Sequence, residues 1–495
     1  MAISNLYRHS LSLLTDLYQL TMAYGYWKTG KSEQESIFHL YFRKNPFNGG
    51  YTVAAGLEQA IEYIRQFRFE NSDIKFLKSL QGNDDRPLFE NEFLDYLAEL
   101  DFSIDLDAVP EGTVVFPNTP ILRVRGPILQ AQLLESALLN IVNFQTLIAT
   151  KSARICQMAG DNPVLEFGLR RAQGIDGSIS ASRAAFIGGV SATSNVLAGK
   201  LLNIPVKGTH AHSWVMSFES ERSAFRNYAE VMPNNSVLLV DTYETEQGIR
   251  NAIEVGRLLK AKGHRLAGIR LDSGDLAYLS NFARQMLDDA GFEDTPIIAS
   301  NDLDEDVIQS LNVQQSKISV WGVGTQLVTG GNQAALGGVY KLGALKDRSG
   351  GWILKTKISE QLIKVSTPGC LQVRRFLNDG SASADMIFNE LGFVGANRQD
   401  SKCTIIDPLD SSRKRTHNAE EEDWDDLLIP IMRSGELVYT NPSLIQIRDR
   451  VMHQKTLFHP SILRLSNPHS YPIGLEESLH QLKTDKVAEL RNLKS

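Results

Sequence analysis

The sequence predicts an α/β protein built around a βα barrel, and three observations support this fold class. Six short apolar runs recur after residue 163, most of them followed by a helical pattern. Most intervals between the runs are about 20–40 residues, the length of a βα unit, so buried strands and helices alternate as in a parallel sheet. No G-x-G-x-x-G opens a helix after the first run, which disfavours a Rossmann fold. The runs span residues 164–167, 204–206, 237–240, 266–269, 296–299 and 318–320.

The regions on either side of the barrel have a different pattern. Before it, we predict a helix that begins at Thr15 or Asp16 and ends at Gly30, because these residue types favour helix starts and helix ends. Further predictions are a strand at 36–42, a turn at 45–50, helices at 55–67, 91–99 and about 127–157, short strands within 110–125, a β-rich piece at 355–375, a turn at 378–380 and a helix from about 474. We therefore divide the chain into an N-terminal segment, the barrel and a C-terminal segment, at residues 1–150, 151–345 and 346–495.

Composition and charge exclude several classes of protein. The 495 residues are 42 % hydrophobic and 22 % charged, with a formal net charge of −7. This balance is typical of a globular protein and does not indicate nucleic-acid binding. No run approaches the roughly 18 apolar residues of a membrane span, and the N-terminus lacks the pattern of a secretion signal. The three cysteines, Cys156, Cys370 and Cys403, are widely spaced, which indicates reduced thiols and a cytoplasmic protein.

A strongly charged stretch lies within residues 410–426. The cations Arg413, Lys414 and Arg415 are followed by an acidic run at 420–423. Blocks of charge are usually solvated, so we interpret this stretch as an exposed loop rather than a binding element.

Two histidines follow the second apolar run, in the stretch Gly-Thr-His-Ala-His-Ser at 208–213. Imidazole can act as a nucleophile, a base or a metal ligand near neutral pH. Three interpretations of His210 and His212 stay open from this pattern alone: reactive groups, side chains that only hydrogen-bond their neighbours, and zinc ligands.

Other strand ends carry polar residues as well, and the loops after the strands of a barrel meet at one mouth. Gly324 and Thr325 belong to a Gly-Val-Gly-Thr segment, which is either a phosphate cradle or a tight turn. Asp272 and Asp275 follow Arg270 and can hold Mg²⁺ or ribose hydroxyls, or cap the next helix.

A pair of arginines, Arg170 and Arg171, follows Phe167 at the end of the first run. Paired guanidinium groups bind phosphate or carboxylate, and the aromatic ring can stack on a flat ligand. Taken together, the strand ends suggest a phosphorylated sugar, Mg²⁺ and an aromatic base as ligands.

Several ordered segments resemble the nicotinate phosphoribosyltransferase family along most of the chain. They lie at residues 15–19, 166–173, 194–199, 208–213, 270–276 and 322–325. The resemblance implies an irregular, type II phosphoribosyltransferase-like α/β barrel with a second α+β domain, in which the C-terminal segment packs with the N-terminal one. It also implies synthesis of nicotinate mononucleotide from nicotinate and phosphoribosyl pyrophosphate, with Mg²⁺ and with ATP as co-substrate, in a homodimer with shared active sites.

The resemblance also implies roles for individual residues. The phosphorylated histidine of the family falls on His212, whereas His210 occupies a position that varies. Nicotinate is expected near Tyr18 of the partner subunit and near Phe167, Thr209 and Arg270, and the phosphoribosyl group near Arg171, Asp272, Gly324 and Thr325. Asp272 is expected to be catalytic and, with Asp275, to hold Mg²⁺. No nucleic-acid or membrane partner is implied.

Three alternatives stay open. A nicotinamide-using enzyme of the same fold would carry out the same reaction on the amide, but the segments at 166–171 and 210–213 favour the acid. A non-catalytic relative that only binds nucleotide is disfavoured because the expected reactive side chains are present. A zinc hydrolase would need a third ligand, and none has motif spacing.

Overall fold

The computed structural model describes residues 11–392, 402–418 and 422–492. Two predictions fall partly outside these ranges. They concern the N-terminal residues, where we expect no secretion signal, and Glu420 and Glu421 of the acidic run. The chain forms two compact units: unit 1 comprises residues up to Leu147 and from Ala335 onward, and unit 2 comprises Ile148–Ala334. Unit 2 corresponds to the barrel of the sequence analysis.

Unit 2 contains a curled, six-stranded parallel sheet that forms half a barrel. Its strands, in spatial order, are Ala192–Thr193, Val164–Glu166, Val320–Val323, Ile297–Ala299, Gly268–Leu271 and Val237–Leu239. All five neighbouring pairs are parallel. This confirms the predicted α/β class, and it places the carboxyl ends of the strands at one edge of the sheet.

Helices connect these strands, as the βα pattern predicts. They are Gly174–Ile187, Val196–Leu202, His212–Met216, Glu221–Val231, Thr245–Ala261, Leu276–Asp289, Glu305–Val313 and Thr325–Val328, with a short 3₁₀ turn at Leu169–Arg171. Several begin at side-chain caps, including Asn195, Ser220 and Asp304. Such caps satisfy N–H groups that have no partner within the helix.

One predicted strand is wrong. Residues 204–206 form only an isolated parallel bridge, between Val206 and Thr193. Pro205 lies in the middle of this run and has no N–H to donate to a ladder, so pairing stops there. The strand that occupies this part of the sheet is Ala192–Thr193, whose backbone donates to the Pro205 carbonyl. It is too short to appear as an apolar run in the sequence.

Two other strands lie further along the chain than predicted. The strand predicted at 266–269 is Gly268–Leu271, and that predicted at 318–320 is Val320–Val323. The register pairs Arg270 with Ile298, so Arg270 is part of a strand although it is charged. The predicted strands end too early because they were defined by apolar residues alone. The true strands continue into polar and glycine residues at the edge of the sheet.

Unit 1 contains a seven-stranded antiparallel sheet. In spatial order its strands are Trp352–Leu354, Gly338–Lys346, Glu35–Phe42, Leu122–Pro127, Asp105–Ala108, Ile429–Arg433 and Glu436–Leu437. The pairing of Ile429–Arg433 with Asp105–Ala108 joins N-terminal and C-terminal residues in one sheet. Strand Gly338–Lys346, which pairs with Glu35–Phe42, belongs to unit 1, although the sequence analysis placed residues up to 345 in the barrel. A small hairpin pairs Thr52–Val53 with Val114–Val115.

A second sheet in unit 1 has six strands. In spatial order they are Lys414–Asn418, Lys402–Ile406, Ile473–Glu476, Ser381–Asn389, Leu371–Asn378 and Asp423–Asp426. The predicted turn at 378–380 is confirmed, because Asp379 and Gly380 both have positive φ in the two-residue connection of a hairpin. The prediction of an exposed loop at 410–426 is wrong in part, because this stretch contains the two edge strands of the sheet, Lys414–Asn418 and Asp423–Asp426.

The helices of unit 1 flank these sheets. They are Leu17–Lys28, Leu57–Gln66, Asn71–Ser79, Asn91–Ala98, Ile128–Leu133, Leu444–Thr456 and Glu477–Asn492, with 3₁₀ turns at Pro46–Asn48 and Leu362–Lys364. Helix Glu135–Ala159 begins in unit 1 and ends in unit 2. The single helix predicted at about 127–157 is in fact two helices, Ile128–Leu133 and Glu135–Ala159. In the part of the chain that the structure describes, no helix has the length and apolar character needed to cross a membrane.

Candidate active site

Arg270 lies at the centre of a group of side chains from two neighbouring strand ends and from the loop at 208–213. Its guanidinium donates from Nη1 to Thr209 Oγ1 at 3.0 Å, from Nη2 to Asp272 Oδ1 at 2.8 Å and from Nε to Ser300 Oγ at 2.8 Å. Only 15 % of its side chain is exposed. Five N–H donors are available on a guanidinium, so these three bonds leave two N–H groups for a ligand.

Phe167 forms one wall of this group. The Arg270 guanidinium carbon lies 5.7 Å from the centre of its ring, within the range of a cation–π contact. The preceding Glu166 is fully buried, and its carboxylate accepts from the Gly168 N–H, from Ser182 Oγ at 2.8 Å and from Thr193 Oγ1 at 2.5 Å. Glu166 therefore holds the backbone that positions the aromatic ring.

The Asp272 carboxylate is ionised in this environment. Burial alone would raise its pKa, but the Ser300 hydroxyl and the Arg270 guanidinium outweigh burial and hold the pKa below its ordinary value. Oδ1 accepts from both of these partners. Oδ2 faces the ring of His212, with Nε2 at 3.7 Å.

His212 is held from its other side as well. Its Nδ1 lies 3.1 Å from Thr242 Oγ1, and the residue is the first of helix His212–Met216. Its side chain is 40 % exposed, so the ring can be reached from solvent. A histidine at a helix N-terminus is well placed to carry a negatively charged group, because unpaired N–H groups and the helix dipole favour negative charge there.

His210 has a different environment. It is buried, and its Nε2 accepts a hydrogen bond from the Leu239 N–H at 3.2 Å. Its ring packs edge-on against Tyr228, with 4.9 Å between ring centres. Burial lowers its pKa to about 4, so the ring is neutral at pH 7. His210 therefore links the loop before helix His212–Met216 to the edge strand Val237–Leu239 by a hydrogen bond. Because this bond occupies Nε2, only Nδ1 of the ring is left as a possible zinc ligand.

Asp241 lies beneath the Asp272 turn. Its Oδ2 accepts from the Asp272 N–H and from Ser273 Oγ, both at 2.7 Å. Its Oδ1 is buried and has no hydrogen-bond partner among the described residues. An unpartnered buried carboxylate oxygen is costly and suits a cation, although no group of three or more candidate metal-binding side chains occurs in the described ranges. Mg²⁺ typically takes only one or two protein carboxylates together with substrate phosphates, so Asp241 and Asp272 fit such an ion.

The glycines near Thr325 allow close packing. A Cβ at Gly322 would lie 2.7 Å from the Phe167 ring, and one at Gly324 would lie 3.2 Å from the Phe167 carbonyl oxygen. The turn Thr325–Val328 starts directly after Gly324, and its first N–H groups have no partner within the turn. These groups and the Thr325 hydroxyl lie one strand away from Phe167 in the sheet.

Four residues singled out from the sequence lie outside this group. Asp275 caps helix Leu276–Asp289 by accepting from the Tyr278 N–H at 3.0 Å, which is the structural alternative proposed for it. Arg170 and Arg171 are exposed in the 3₁₀ turn after Phe167. Tyr18 belongs to unit 1, where it is 47 % exposed on helix Leu17–Lys28.

Several contributors were missed from the sequence. Ser300, Asp241, Thr242 and Glu166 are not among the site residues predicted from the sequence. A signal for the first three was present, since each directly follows a predicted strand and such positions converge in a parallel sheet. Nothing in the sequence distinguishes a buried, hydrogen-bonded Glu166 from a surface glutamate.

Family models match three parts of the chain. Residues 13–143 match the nicotinate phosphoribosyltransferase N-terminal domain, residues 163–348 the nicotinate phosphoribosyltransferase family, and residues 372–483 the nicotinate phosphoribosyltransferase C-terminal domain. These three matches include every residue of the candidate site described above.

Individual relatives extend over almost the whole chain. Nicotinate phosphoribosyltransferase of Bacillus subtilis is 45 % identical over 487 residues, covering 98 % of this chain and 96 % of the relative. The Homo sapiens protein of the same name is 34 % identical over 527 residues, covering 95 % of each. The crystal structure of human nicotinic acid phosphoribosyltransferase superposes with a TM-score of 0.81 at 32 % identity, covering 95 % of this chain and 99 % of that one. The chain therefore belongs to the nicotinate phosphoribosyltransferase family and is an enzyme.

Proposed function

We propose that this enzyme joins nicotinate to the phosphoribosyl group of 5-phosphoribosyl 1-pyrophosphate, the first step of NAD salvage from nicotinate. The products are nicotinate mononucleotide and pyrophosphate. The observation that carries the proposal is the Arg270 group, in which a buried cation with two unused N–H donors lies against the aromatic face of Phe167. A flat ring bearing a carboxylate matches both features. Near-complete coverage by relatives that bear this name supports the same conclusion.

The reaction needs positioning more than acid–base chemistry. The pyridine nitrogen of nicotinate has a free lone pair, so it attacks ribose C1 directly while the bond from C1 to the pyrophosphate oxygen breaks. Positive charge develops on the ribose and negative charge on the leaving pyrophosphate. The ionised Asp272 carboxylate is suited to the ribose side of this transition state, and Arg171 with the N–H groups at Gly324 and Thr325 to the phosphate groups.

Arg270 and Thr209 are the residues that we assign to the carboxylate of nicotinate. Thr209 Oγ1 already accepts from Arg270, so the two groups are preassembled. Charge-assisted hydrogen bonds contribute about 1.5–3 kcal/mol each. This favours nicotinate over nicotinamide, because the carboxylate accepts such bonds from the two remaining N–H groups of Arg270, whereas the amide is neutral.

ATP enters through His212. If Nδ1 carries the proton and donates it to Thr242 Oγ1, the Nε2 lone pair is free to attack the γ-phosphorus of ATP. A nitrogen–phosphorus bond then forms, the bond to ADP breaks and ADP leaves, which is nucleophilic catalysis. Water later removes the phosphoryl group. The added negative charge at a helix N-terminus can bias the loop at 208–213 towards a state that holds substrate.

Mg²⁺ is the metal that fits these ligands. We assign it to Asp272 and to the unpartnered Oδ1 of Asp241, together with phosphate oxygens of the substrate. When bound, the ion neutralises charge on the leaving pyrophosphate. Asp275 is a weaker candidate than the sequence suggested, because one of its oxygens caps a helix.

A homodimer with shared sites explains Tyr18. Its exposed ring sits in unit 1, and burial, together with the Glu135 carboxylate, raises its pKa so that it is a neutral hydrogen-bond donor. We propose that Tyr18 completes the nicotinate site of a partner subunit.

The proposed function is tested by measuring pyrophosphate release from phosphoribosyl pyrophosphate with nicotinate and with nicotinamide, each with and without ATP. We expect release with nicotinate, accelerated by ATP. Equal release with nicotinamide would support the amide-using alternative, and no release with either ring would support a non-catalytic protein.

A further inference from the structure

A second cavity lies wholly within unit 1, among residues that the reaction above does not use. Its volume is about 620 Å³, which is within the range of sites for small organic ligands. The wall is part polar and part apolar, and its apolar part includes Tyr41, Phe116, Ile387, Ile405 and Leu475. The lining comes from both sheets of unit 1 and from the C-terminal helix Glu477–Asn492.

Lys483 of that helix lines this cavity and is half-buried. Its Nζ donates to Thr367 Oγ1 at 3.2 Å, and Thr367 also lines the cavity. Among the described residues, no carboxylate forms an ion pair with Lys483. Burial lowers its pKa to about 8. A half-buried ammonium group with one neutral partner can pair with an anionic ligand that enters the cavity.

Further cations line the same cavity. Arg413, Lys414 and Arg415 are the basic cluster of the sequence analysis, and the structure places them at the cavity rather than in a loop away from any site. Arg413 pairs with Asp410 at 3.2 Å, and Lys414 lies 3.7 Å from Glu477. Arg415 donates to the backbone carbonyl of Ser383 at 2.8 Å, and it forms no ion pair with any carboxylate in the described ranges.

The single carboxylate in the lining does not neutralise these cations. Asp407 Oδ1 accepts from the backbone N–H groups of Leu409 and Asp410. The positive field also reaches His480 on the same helix as Lys483. Burial, then Lys483 and Lys414, lower the pKa of His480, while Glu477 opposes them. The cavity therefore combines apolar walls with net positive charge.

We propose that this cavity is a second ligand site, which binds an organic phosphate of about mononucleotide size. The phosphate group lies at Lys483 and Arg415, and the ring of the ligand lies between the apolar walls. Arginine and lysine together are the usual donors to phosphate, and the volume admits a ring and a sugar in addition to the phosphate. Adenine and pyridine mononucleotides share this chemistry, and the test separates them.

Pyridoxal 5′-phosphate is the probe, because it combines a phosphate, a flat ring and an aldehyde. The neutral amine of Lys483 adds to the aldehyde carbon, water leaves, and borohydride then delivers hydride to the imine carbon to give a stable secondary amine. At pH 8 about half of Lys483 is neutral, given a pKa of about 8, against less than about one per cent of an ordinary lysine. Peptide mass spectrometry reads each lysine separately, so labelling elsewhere in the enzyme does not interfere.

We expect Lys483 to be labelled about tenfold or more faster than Lys486, the matched control on the same helix, which pairs with Glu489 at 2.8 Å. Phosphate-free pyridoxal should label Lys483 about tenfold more slowly than the phosphate does, the effect of one or two charge-assisted hydrogen bonds. Arg415→Gln should slow labelling by pyridoxal 5′-phosphate without slowing labelling by pyridoxal. Circular dichroism checks that this variant is folded.

Competition identifies the occupant. Inorganic phosphate should slow the labelling of Lys483. Adenosine monophosphate or nicotinate mononucleotide should slow it at a lower concentration than phosphate does, and the more effective of the two identifies the ring that the cavity binds. Equal labelling by pyridoxal and its phosphate would overturn the proposal, because it would reveal a reactive lysine without a phosphate site. Failure of all three competitors to protect, or labelling no faster than at Lys486, would overturn it as well. None of these readouts depends on nicotinate turnover.

Discussion

The Nε2 atom of His212 lies 3.7 Å from Oδ2 of Asp272, while Nδ1 of the same ring lies 3.1 Å from Thr242 Oγ1. The Thr242 hydroxyl orients the imidazole, and the Asp272 carboxylate faces its other nitrogen at a distance too long for a hydrogen bond. The same carboxylate is bound through Oδ1 to Arg270. The proposed phosphorylation site and the proposed nicotinate site therefore share Asp272, which offers a direct physical route by which a phosphoryl group on His212 can affect substrate binding.

The first prediction concerns the phosphorylated residue. His212→Ala should abolish incorporation of label from γ-³²P-ATP, because the nucleophilic nitrogen is gone. Some ATP-independent transfer should survive, since the phosphoribosyl site uses other residues. The label on the wild-type enzyme should be stable in base and lost in acid, as for a phosphoramidate. If His212→Ala is labelled as fully as the wild type, the nucleophile is another residue, and His210 becomes the first to examine.

The second prediction concerns selectivity for the acid. The wild-type enzyme should prefer nicotinate to nicotinamide by about a hundredfold or more in kcat/KM, because only the carboxylate of nicotinate can accept charge-assisted hydrogen bonds from the two remaining N–H groups of Arg270. Arg270→Gln should lose activity on nicotinate far more than on nicotinamide. Arg270→Lys should not restore the preference, since lysine lacks the planar fork that also contacts Thr209, Asp272 and Ser300.

The contrary outcome is equally specific. If Arg270→Gln reduces kcat/KM by the same factor on both rings, Arg270 does not recognise the carboxylate. Its three hydrogen bonds would then serve to hold the strand ends, and its role would be structural.

The third prediction separates His210 from His212. His210→Leu should lower the free energy of unfolding by about 1–3 kcal/mol, because the buried Leu239 N–H loses its acceptor. His210→Gln should lose less, since its amide oxygen can accept the same bond. Urea denaturation measures both, and the two variants should still be labelled by γ-³²P-ATP if the fold is intact.

The pH dependence of stability provides a check on the same residue. The folded-state pKa of His210 is about 4, below the ordinary value of about 6.5. Between these values the unfolded chain binds a proton at His210 and the folded protein does not, so wild-type stability falls as pH decreases through this window. His210→Gln should show a shallower decline from pH 6.5 to pH 4. Identical slopes would mean that His210 is not held neutral in the fold.

The fourth prediction concerns shared sites. Tyr18→Ala and Arg270→Ala should each be nearly inactive alone. After the subunits exchange, heterodimers should contain one intact site, and activity should return to as much as about a quarter of the wild-type level for random mixing of equal amounts. Mass spectrometry of the intact dimer establishes that exchange has occurred. No recovery despite exchange would contradict a site that Tyr18 completes from a partner subunit.

The sequence was sufficient to predict five of the six strands of the parallel sheet and to single out some of the residues that lie around Arg270. The runs around 164, 237, 268, 297 and 320 became strands because each is a short apolar segment bounded by polar residues. The ends of these strands lie at one edge of the sheet, and this brings Arg270, Asp272 and Ser300 together. Thr209 reaches Arg270 from the loop after residues 204–206, which form no strand. Gly324 and Thr325 also lie at a strand end, as predicted.

The remaining features depend on tertiary contacts that carry no local signal. The role of His210 could not be predicted, because its acceptor bond joins it to Leu239, 29 residues away. The pairing of the basic cluster at 413–415 with strand Lys402–Ile406 likewise depends on a partner strand rather than on propensity. The two-residue strand Ala192–Thr193 is too short to have a periodicity. Asp275 fitted two roles equally well, and only its bond to the Tyr278 N–H shows that it caps a helix.

The most direct measurement is the product formed by the purified enzyme from phosphoribosyl pyrophosphate and an equimolar mixture of nicotinate and nicotinamide, with Mg²⁺ and ATP, analysed by chromatography. We expect nicotinate mononucleotide in about hundredfold or greater excess over the amide nucleotide, with one pyrophosphate released for each nucleotide formed. With Arg270→Gln this excess should fall sharply. Comparable amounts of both nucleotides from the wild-type enzyme, or pyrophosphate without either nucleotide, would contradict the assignment of nicotinate as the substrate.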